Sequence, residues 1–262
     1  MVTIERSDQT MTQRRLYQFP HSHFSEKARW ALDWKRLPFK KIDLTRGPHA
    51  RITRRYGPET TVPVLVDEDG TAIQDSTAIL DYLEATYPNA PLSPNDPQDA
   101  AEALRLEEFF DDTLGHHTRR FAYAALIDRP DVLRFIWLQG RGPLMRLAFP
   151  LLFRLIKPRM VKRLKLGPGA ADESEAELFR AMDVIDERLA SSDYLVGDRF
   201  TRADLTAAAL LSLITWPPEH DFNFPPPDML PKRIQTFLDT TRERPSTRWA
   251  LEMYSRHRAK PS

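Results

Sequence analysis

Two short segments of this sequence carry residue types that can hold a small peptide by its backbone and its acid group. In the first, residues 61–66, Pro63 stands directly before an apolar run that is typical of a β-strand. Proline has no amide hydrogen to give to a sheet, so it suits the first position of a strand. We expect the Val62–Pro63 bond to be cis, which would turn the N–H and C=O of Val62 outward, where an extended peptide could pair with them.

The second segment, residues 75–83, predicts the start of a helix. Asp75 and Ser76 are residue types that cap helices, and Ala78, Ile79 and Leu83 follow at helical spacing. The first turn of a helix attracts carboxylates, because its amide groups are unsatisfied and the helix dipole is positive there. The two segments together therefore predict a binding site for a small acidic peptide, although Asp75 and Ser76 also fit a cap and nothing more.

Strand and helix signals around these segments predict a mixed α/β unit. Strands are predicted at residues 16–19, 39–44, 62–67 and 71–74, with the last two joined by the hairpin turn Asp69–Gly70. Helical patterns begin near Ser22 and Ser76, and residues 51–56 fit a short helix or loop. The order βαβ followed by ββα predicts a compact mixed sheet of four strands with helices on its faces.

A second domain follows a linker rich in proline, residues 89–97. Beyond it the patterns are helical, at residues 100–114, 177–189, 205–213, 234–242 and after Pro245. Thr201 and Asp204 have the spacing of a capping box ahead of the nearly all-apolar third helix, which must be buried on every side. We therefore predict an α/β domain over residues 12–90 and an all-helical domain over residues 98–262.

Composition excludes several classes of function. The 262 residues contain 38 Lys plus Arg against 37 Asp plus Glu, so no global charge predicts a nucleic-acid partner. Cysteine is absent, which excludes disulfides, cysteine-ligated metal and thiol exchange by the protein itself. Residues 1–13 are polar and lack the apolar core of a secretory signal. These features predict a cytoplasmic protein, and no metal site is expected.

Four motifs in order resemble the cytosolic glutathione transferase family. They are V-P-V-L at 62–65 with D-S-T-A-I-L-D-Y-L at 75–83, the proline-rich linker, Y-L-V-G-D-R-F-T-R-A-D at 194–204, and R-P-S-T-R at 244–248. The resemblance implies a thioredoxin-like N-terminal domain, an all-helical C-terminal domain and a homodimer. It implies that glutathione is the cosubstrate, that Val62 and Pro63 hold its cysteinyl backbone, and that Asp75 and Ser76 hold its γ-glutamyl end.

The resemblance also implies that a hydroxyl or thiol at the first helix donates a hydrogen bond to the glutathione thiolate. In the serine and cysteine subgroups this residue precedes a basic-X-Arg pattern by five positions, and counting back from Lys27-Ala28-Arg29 leads to Ser22. Tyr17 is a rival donor, and Ser22 also fits a plain helix cap. His23 flanks the site.

Thr61 departs from the Lys or Gln that many relatives have before the Val-Pro pair. Either Arg54 or Arg55 takes over the contact with the glycine carboxylate, or glutathione binds weakly, or the natural thiol differs. Without cysteine, conjugation, isomerisation or ether cleavage by the glutathione thiolate is favoured over thiol exchange.

The implied second substrate is a small hydrophobic electrophile bound between the domains. Its candidate wall residues are Phe110, His117, Phe121, Trp216 and Tyr254. The alternative function is a non-catalytic binding or scaffold protein of this fold, with a membrane surface as a possible partner.

Residues 144–164 are basic and apolar, within a stretch from Val132 to Ala171 that has nine basic residues and no acidic one. Three interpretations are open: ordinary helices with Leu, Phe and Met packed inward, a wall of the substrate site, or a basic amphipathic surface for anionic lipid. We expect Pro150 and Pro158 to divide this segment into short helices.

Overall fold

The computed structural model describes residues 13–258, so all but the last residue of the predicted polar start, residues 1–13, lies outside the described part of the chain. Its N-terminal domain is a four-stranded mixed sheet in the order β2-β1-β3-β4. The strands are β1 (Arg15–Gln18), β2 (Lys40–Asp43), β3 (Val64–Val66) and β4 (Ala72–Gln74). β1 runs parallel to β2 and antiparallel to β3, and β3 runs antiparallel to β4. This arrangement confirms the predicted thioredoxin-like domain.

Alternation along the strands gives the sheet two buried faces. Leu16 and Leu65 point into the main core, whereas Tyr17, Val64 and Val66 point into a smaller cluster on the opposite face. Neighbouring strand residues project to opposite faces, so both faces require cover. On the main-core face, α1 packs against α3 and against the helical domain.

Three helices belong to this domain: α1 (His23–Trp34), α2 (His49–Thr53) and α3 (Ser76–Thr86). Between β3 and β4 the chain turns at the predicted Asp69–Gly70, where Gly70 has φ +91° and the amide of Thr71 donates to Asp69 Oδ1 at 2.8 Å. A positive φ favours glycine at this position because it has no Cβ. No helix or strand occurs between Thr86 and Pro97, where the sequence predicts the linker.

The second domain is mostly helical, as predicted. Its helices are α4 (Pro97–Phe110), α5 (His116–Leu126), α6 (Pro130–Trp137), α7 (Pro143–Leu164), α8 (Ala170–Leu189), α9 (Arg202–Thr215), α10 (Lys232–Thr241) and α11 (Pro245–His257). A short π-helix, Asp111–Gly115, joins α4 to α5. None of the helices in residues 13–258 is long and apolar enough to cross a membrane.

Helix α9 forms the centre of the molecule and packs against α1, α4 and α11. Its start has the predicted capping box: Asp204 Oδ2 accepts from the amide of Thr201 at 2.8 Å and from the Thr201 hydroxyl at 2.7 Å. The residues from Arg202 to Ser212 are all buried. The apolar character of this helix therefore reflects contact on every side.

Helix α7 differs from expectation, because it runs through Pro150 and Pro158 without a break. Both prolines lie on exposed positions, as do Arg146 and Arg154, the residues four positions earlier whose carbonyls lose a helical partner. Those carbonyls can be hydrated, so the helix tolerates each proline. The prediction of several short helices in this segment is wrong for this reason.

Four leucines of α7 also depart from the inward-packing interpretation, whereas Leu152 and Leu164 pack partly against the core. Leu144, Leu147, Leu151 and Leu155 are 79%, 80%, 67% and 56% exposed, whereas Phe149, Ile156 and Met160 are buried. Their spacing of three and four places the four leucines along one side of the helix. We call these four residues the leucine face of α7.

Candidate functional site

Ser22 is the N-cap of α1 and lines a large cavity between the two domains. It has extended backbone geometry, and its hydroxyl oxygen accepts a bond from the amide of Ser25 at 3.4 Å. An oxygen that accepts in this way keeps its own hydrogen available for donation. Ser22 can therefore donate to a group in the cavity while it caps the helix.

Val62 presents its main chain to the same cavity. The Val62–Pro63 peptide bond is cis, as predicted, and both Thr61 and Val62 line the cavity. Neither the N–H nor the C=O of Val62 has a hydrogen-bond partner within residues 13–258. These two groups are thus available to an extended ligand in the manner of a neighbouring strand.

Asp75 caps α3, and Ser76 is the first residue of that helix. Asp75 has φ +82°, unusual for a residue other than glycine, and its Oδ1 accepts from the amides of Thr77 at 2.8 Å and Ala78 at 3.3 Å. Strained backbone of this kind occurs often at ligand sites. The two residues stand outside the cavity lining, Asp75 exposed and Ser76 buried.

The cavity has a volume of about 570 Å³. It extends from Ser22 and Val62 across the domain boundary to α5, α7 and α9, which contribute Leu126, Ile156, Met160 and Leu213. Phe24, Trp216 and Phe222 add aromatic wall. A volume of this size with mostly apolar walls and a few polar groups is typical of a small-molecule site.

Histidines at the cavity are held neutral. His23 donates from Nε2 to the carbonyl of Gly115, 2.8 Å away, and burial lowers its pKa to about 3. His21 Nε2 accepts from the Arg46 guanidinium at 3.0 Å, and burial with the positive charge of Arg46 lowers the pKa of His21 well below its ordinary value. Burial also lowers the pKa of His49 to about 4. The positive charge of the site therefore comes from arginines.

The other residues predicted to hold glutathione divide into two groups. Arg54, Thr61 and His23 line the cavity, whereas Arg55 does not. Tyr17 lies elsewhere: its hydroxyl pairs with that of Tyr56 at 2.8 Å, and its ring packs in the smaller core cluster. Tyr17 does not line the cavity and its hydroxyl is already paired with Tyr56, so it is a poor candidate for the thiol donor.

Of the five predicted substrate-wall residues, the structure places only Trp216 on the cavity. Phe110 and Tyr254 are fully buried in the core, where Tyr254 packs on Trp30 with ring centroids 4.4 Å apart. Phe121 packs on Phe237 at 4.8 Å, and His117 lies one helical turn before it on the same face of α5. The cavity face of α5 instead carries Arg119, Ala122, Tyr123 and Leu126.

The basic pattern that pointed to Ser22 has a structural role of its own. Lys27 is fully buried and forms ion pairs of 2.7 Å with both Glu107 and Asp111 of the second domain. Arg29 pairs with Glu26 at 2.7 Å inside α1. These residues therefore position the first helix against its surroundings and do not line the cavity.

Sequence reasoning missed Arg46, Arg119 and Phe222, which all line the cavity. Arg119 had a readable signal, because it shares the apolar stripe of α5 with Ala122 and Leu126 at helical spacing. Phe222 comes from the proline-rich loop after α9, whose path no pattern predicts. Within the described chain, no group of three or more His, Asp or Glu side chains could hold a metal ion.

Comparison with known proteins gives two family matches that follow the two domains. The family model described as "Glutathione S-transferase, N-terminal domain" matches residues 16–91. The model described as "Glutathione S-transferase, C-terminal domain" matches residues 145–245.

Individual relatives share less than 30% sequence identity with the chain in the three comparisons that follow. The chain is 28% identical over 207 residues to FtsZ-localized protein A of Caulobacter vibrioides, covering 78% of both chains. A solved glutathione S-transferase from Rhodospirillum rubrum is 27% identical with a TM-score of 0.59, over 91% of this chain and 92% of that one. A glutathione S-transferase from Methylobacillus flagellatus, solved with GSH bound, shares the fold at 16% identity with a TM-score of 0.62, over 94% and 96% of the chains.

Proposed function

Since the chain belongs to the glutathione S-transferase family in both of its domains, we propose that it binds glutathione and stabilises its thiolate for attack on an apolar electrophile. One observation carries the proposal: the Ser22 hydroxyl and the unpaired main chain of Val62 face a single cavity that continues into the helical domain. This arrangement provides adjacent sites for a peptide thiol and an apolar molecule.

Ser22 has the chemistry to lower the pKa of a bound thiol. A thiol with an ordinary pKa of about 8.5 must be lowered by roughly two units to be mostly ionised at neutral pH, which is about 2.7 kcal/mol of differential stabilisation. The Ser22 hydroxyl can donate one bond, and the first amides of α1 have no partner within the helix. A hydrogen bond to a charged acceptor contributes about 1.5–3 kcal/mol and the helix dipole about 0.3–1 kcal/mol, so the two together reach the required amount.

The rest of glutathione has matching groups. The N–H and C=O of Val62 fit the cysteinyl backbone, and the amide at the start of α3, beside Asp75, fits the γ-glutamyl carboxylate. Arg54 lines the cavity and can take the glycine carboxylate in the absence of a basic residue at Thr61. This set of donors corresponds to a serine-type site.

The test replaces the proposed donor and compares it with a neighbouring serine. Ser22→Ala is assayed for turnover of glutathione with a generic aromatic electrophile and for retention on glutathione-agarose. Ser25→Ala is the matched control, because its side chain is buried on the same helix and does not line the cavity. We expect Ser22→Ala to lose most turnover and to keep retention, while Ser25→Ala keeps both. Unchanged turnover in Ser22→Ala would exclude Ser22 as the donor.

A second candidate function is a non-catalytic scaffold that rests on an anionic membrane surface. Two observations favour it: the similarity to FtsZ-localized protein A over most of both chains, and the leucine face of α7. The helix carries several Arg and Lys and no acidic residue, so its surroundings are basic. An amphipathic surface of this composition suits anionic lipid.

Vesicle flotation separates the two candidates. For the scaffold we expect flotation with phosphatidylglycerol vesicles, none with phosphatidylcholine, and loss in the double variant Leu147→Asp, Leu151→Asp. Leu104→Asp is the control, because Leu104 is also exposed but lies on α4. Flotation without glutathione turnover would favour the scaffold, and turnover without flotation would favour the enzyme.

A further inference from the structure

The cavity wall carries positive charges that no acidic side chain neutralises. Among the described residues, five arginines line it, Arg46, Arg54, Arg119, Arg159 and Arg163, and no Asp or Glu does. None of the five forms an ion pair within residues 13–258. Buried basic residues elsewhere, such as Lys27, Arg202 and Arg258, are each paired with a carboxylate. Arg54, Arg159 and Arg163 are exposed to solvent, whereas Arg46 and Arg119 are partly buried. A charge partly removed from water without a counter-charge is unfavourable, so the wall at Arg46 and Arg119 fits an anionic ligand.

Of these arginines, Arg119 has the clearest need of an anionic partner. It projects from the cavity face of α5 with its guanidinium 5.8 Å from the centre of the Phe24 ring, and its Nε has no hydrogen-bond partner in the described chain. Burial, together with the charges of Arg46 and Arg163, lowers the pKa of Arg119 from its ordinary value. A bound anion would supply the missing partner.

Arg46 is held in place beside it by aromatic rings. Its guanidinium lies 4.5 Å from the ring centre of Phe19, 5.3 Å from that of Tyr123 and 5.1 Å from that of Trp137. Its Nη2 donates to His21 Nε2, and its Nε has no partner among the described residues. Ring contacts of this kind orient a cation without neutralising it.

The remainder of the wall is apolar. Leu126, Leu133, Ile156, Met160, Leu213 and Trp216 surround the space next to the arginines. Wall and charge together fit a molecule with an aliphatic or aromatic body and one negative group. The glutathione groups, Ser22 and Val62, belong to the N-terminal domain, whereas Arg119 belongs to α5.

We propose that the second ligand of this cavity is an apolar organic acid whose carboxylate pairs with Arg119 and Arg46. Its identity as the second substrate rests on the function proposed above, whereas its binding requires no glutathione. The negative charge of the ligand, and not its apolar body alone, sets the affinity.

The test compares 6-phenylhexanoate with its primary amide, which has the same body and no charge. Binding of each is measured by calorimetry on the full chain without glutathione. We expect the acid to bind at least tenfold more tightly than the amide. In Arg119→Met the acid should lose at least tenfold in affinity, the amide no more than twofold, and Arg119→Lys should recover part of the loss.

Controls separate a lost charge from a lost fold. Arg119→Met should melt at the same temperature as the parent chain or higher, because it removes a desolvated charge. Arg46→Met should repeat the effect on the acid, while Arg105→Met, at an exposed site on α4, should leave affinity unchanged. Equal affinity for acid and amide, or equal loss of both in Arg119→Met, would overturn the proposal.

Glutathione distinguishes the two proposals. If glutathione competes fully with the acid and Arg119→Met weakens glutathione equally, the arginines hold glutathione itself and the inference fails. If the acid binds as expected but glutathione does not, the inference stands and the proposed enzyme function fails. If turnover depends on Ser22 but acid and amide bind alike, the function stands and the inference fails.

Discussion

At the scale of single residues, His23 shows how burial sets the charge of a side chain at this cavity. Its ring is 2% exposed and its pKa is lowered to about 3 by burial. The unfolded chain takes up a proton on this residue near pH 6.5, well before the folded chain does. Stability is therefore fully present above about pH 6.5 and is lost as the pH falls.

The expected size of this effect is measurable. With a folded pKa of about 3, protonation of His23 in the unfolded state removes about 2 kcal/mol of stability between pH 7 and pH 5. In His23→Gln, urea unfolding should show a loss smaller by about that amount over the same interval. The variant is expected to be less stable at pH 7, because the bond to Gly115 is weakened. An equal pH-dependent loss in both proteins would contradict the assignment.

Gly115 is constrained by its neighbour at the entrance to α5. A Cβ on this residue would meet the Phe24 ring, with Cε1 only 2.8 Å away. Overpacking of this kind destabilises by about 1–3 kcal/mol. Replacing glycine by alanine in a helical turn stabilises the fold by about 1 kcal/mol through helix propensity.

The clash is the larger of these two effects, so Gly115→Ala should be less stable by up to about 2 kcal/mol. The displaced Phe24 ring should also enter the cavity and weaken binding of its apolar ligand. Gly142→Ala is the control, because no atom lies within 4 Å of its added Cβ. Urea unfolding and ligand titration measure the two effects, and a Gly115→Ala protein that is more stable than the parent would contradict the close contact.

At the scale of elements, α7 has two sides with different energetic weight. Phe149 is 3% exposed and stacks on Phe153 with ring centroids 5.6 Å apart, whereas Leu147 is 80% exposed. Truncating a buried phenylalanine costs about 3–5 kcal/mol, and an exposed leucine typically within about 0.5 kcal/mol. We expect Phe149→Ala to be strongly destabilised and Leu147→Ala to unfold like the parent chain. Similar losses in the two variants would show that the leucine face is covered in solution.

How much of these elements the sequence predicts depends on the range of the interaction. Local signals predicted local structure correctly: the Thr201–Asp204 box, the Asp69–Gly70 turn and the proline at the start of β3 are all present. The direction of side chains in the helical domain was predicted poorly. Phe121 and Tyr254 have the right residue type for a substrate wall, but tertiary contacts of α5 and α11 turn them into the core.

The continuous helix at Pro150 and Pro158 shows a second limit of prediction from sequence. Local rules place a helix end near each proline, but they do not include whether the freed carbonyl meets water or protein. The charged cavity wall is a third case, since Arg46 and Arg119 are 73 residues apart in sequence and meet only in the folded chain. Sequence periodicity alone cannot bring such residues together.

At the scale of the whole molecule, buried ion pairs connect α1 to the helical domain at two places. At one, Lys27 pairs with Glu107 and Asp111, and Arg202 also contacts Glu107. At the other, Arg258 pairs with Glu26 at 2.8 Å and with Asp33 at 2.6 Å. Because Ser22 begins the same helix, these contacts fix its position relative to the cavity.

Removing the second connection tests this role. Burial alone would raise the pKa of Glu26, but the guanidinium of Arg258, together with Arg29, lowers it below its ordinary value. Arg258→Gln leaves that carboxylate short of a partner, and loss of one member of a buried pair costs about 3–5 kcal/mol. Arg256→Gln is the control two residues away, in an exposed i,i+4 pair with Glu252 that contributes no more than about 0.5 kcal/mol.

The pH dependence of this difference distinguishes an ion pair from simple packing. A carboxyl whose folded pKa is depressed stabilises the fold above its unfolded pKa of about 4.3 and loses that contribution as the pH falls further. The gap in unfolding free energy between the parent chain and Arg258→Gln should therefore be largest at neutral pH and narrow below about pH 4.3. Urea unfolding from pH 7 to pH 3 measures it. A gap that stays constant with pH would mean that Arg258 acts through its apolar stem on Trp30, whose ring centre lies 6.0 Å from the guanidinium, and not through Glu26.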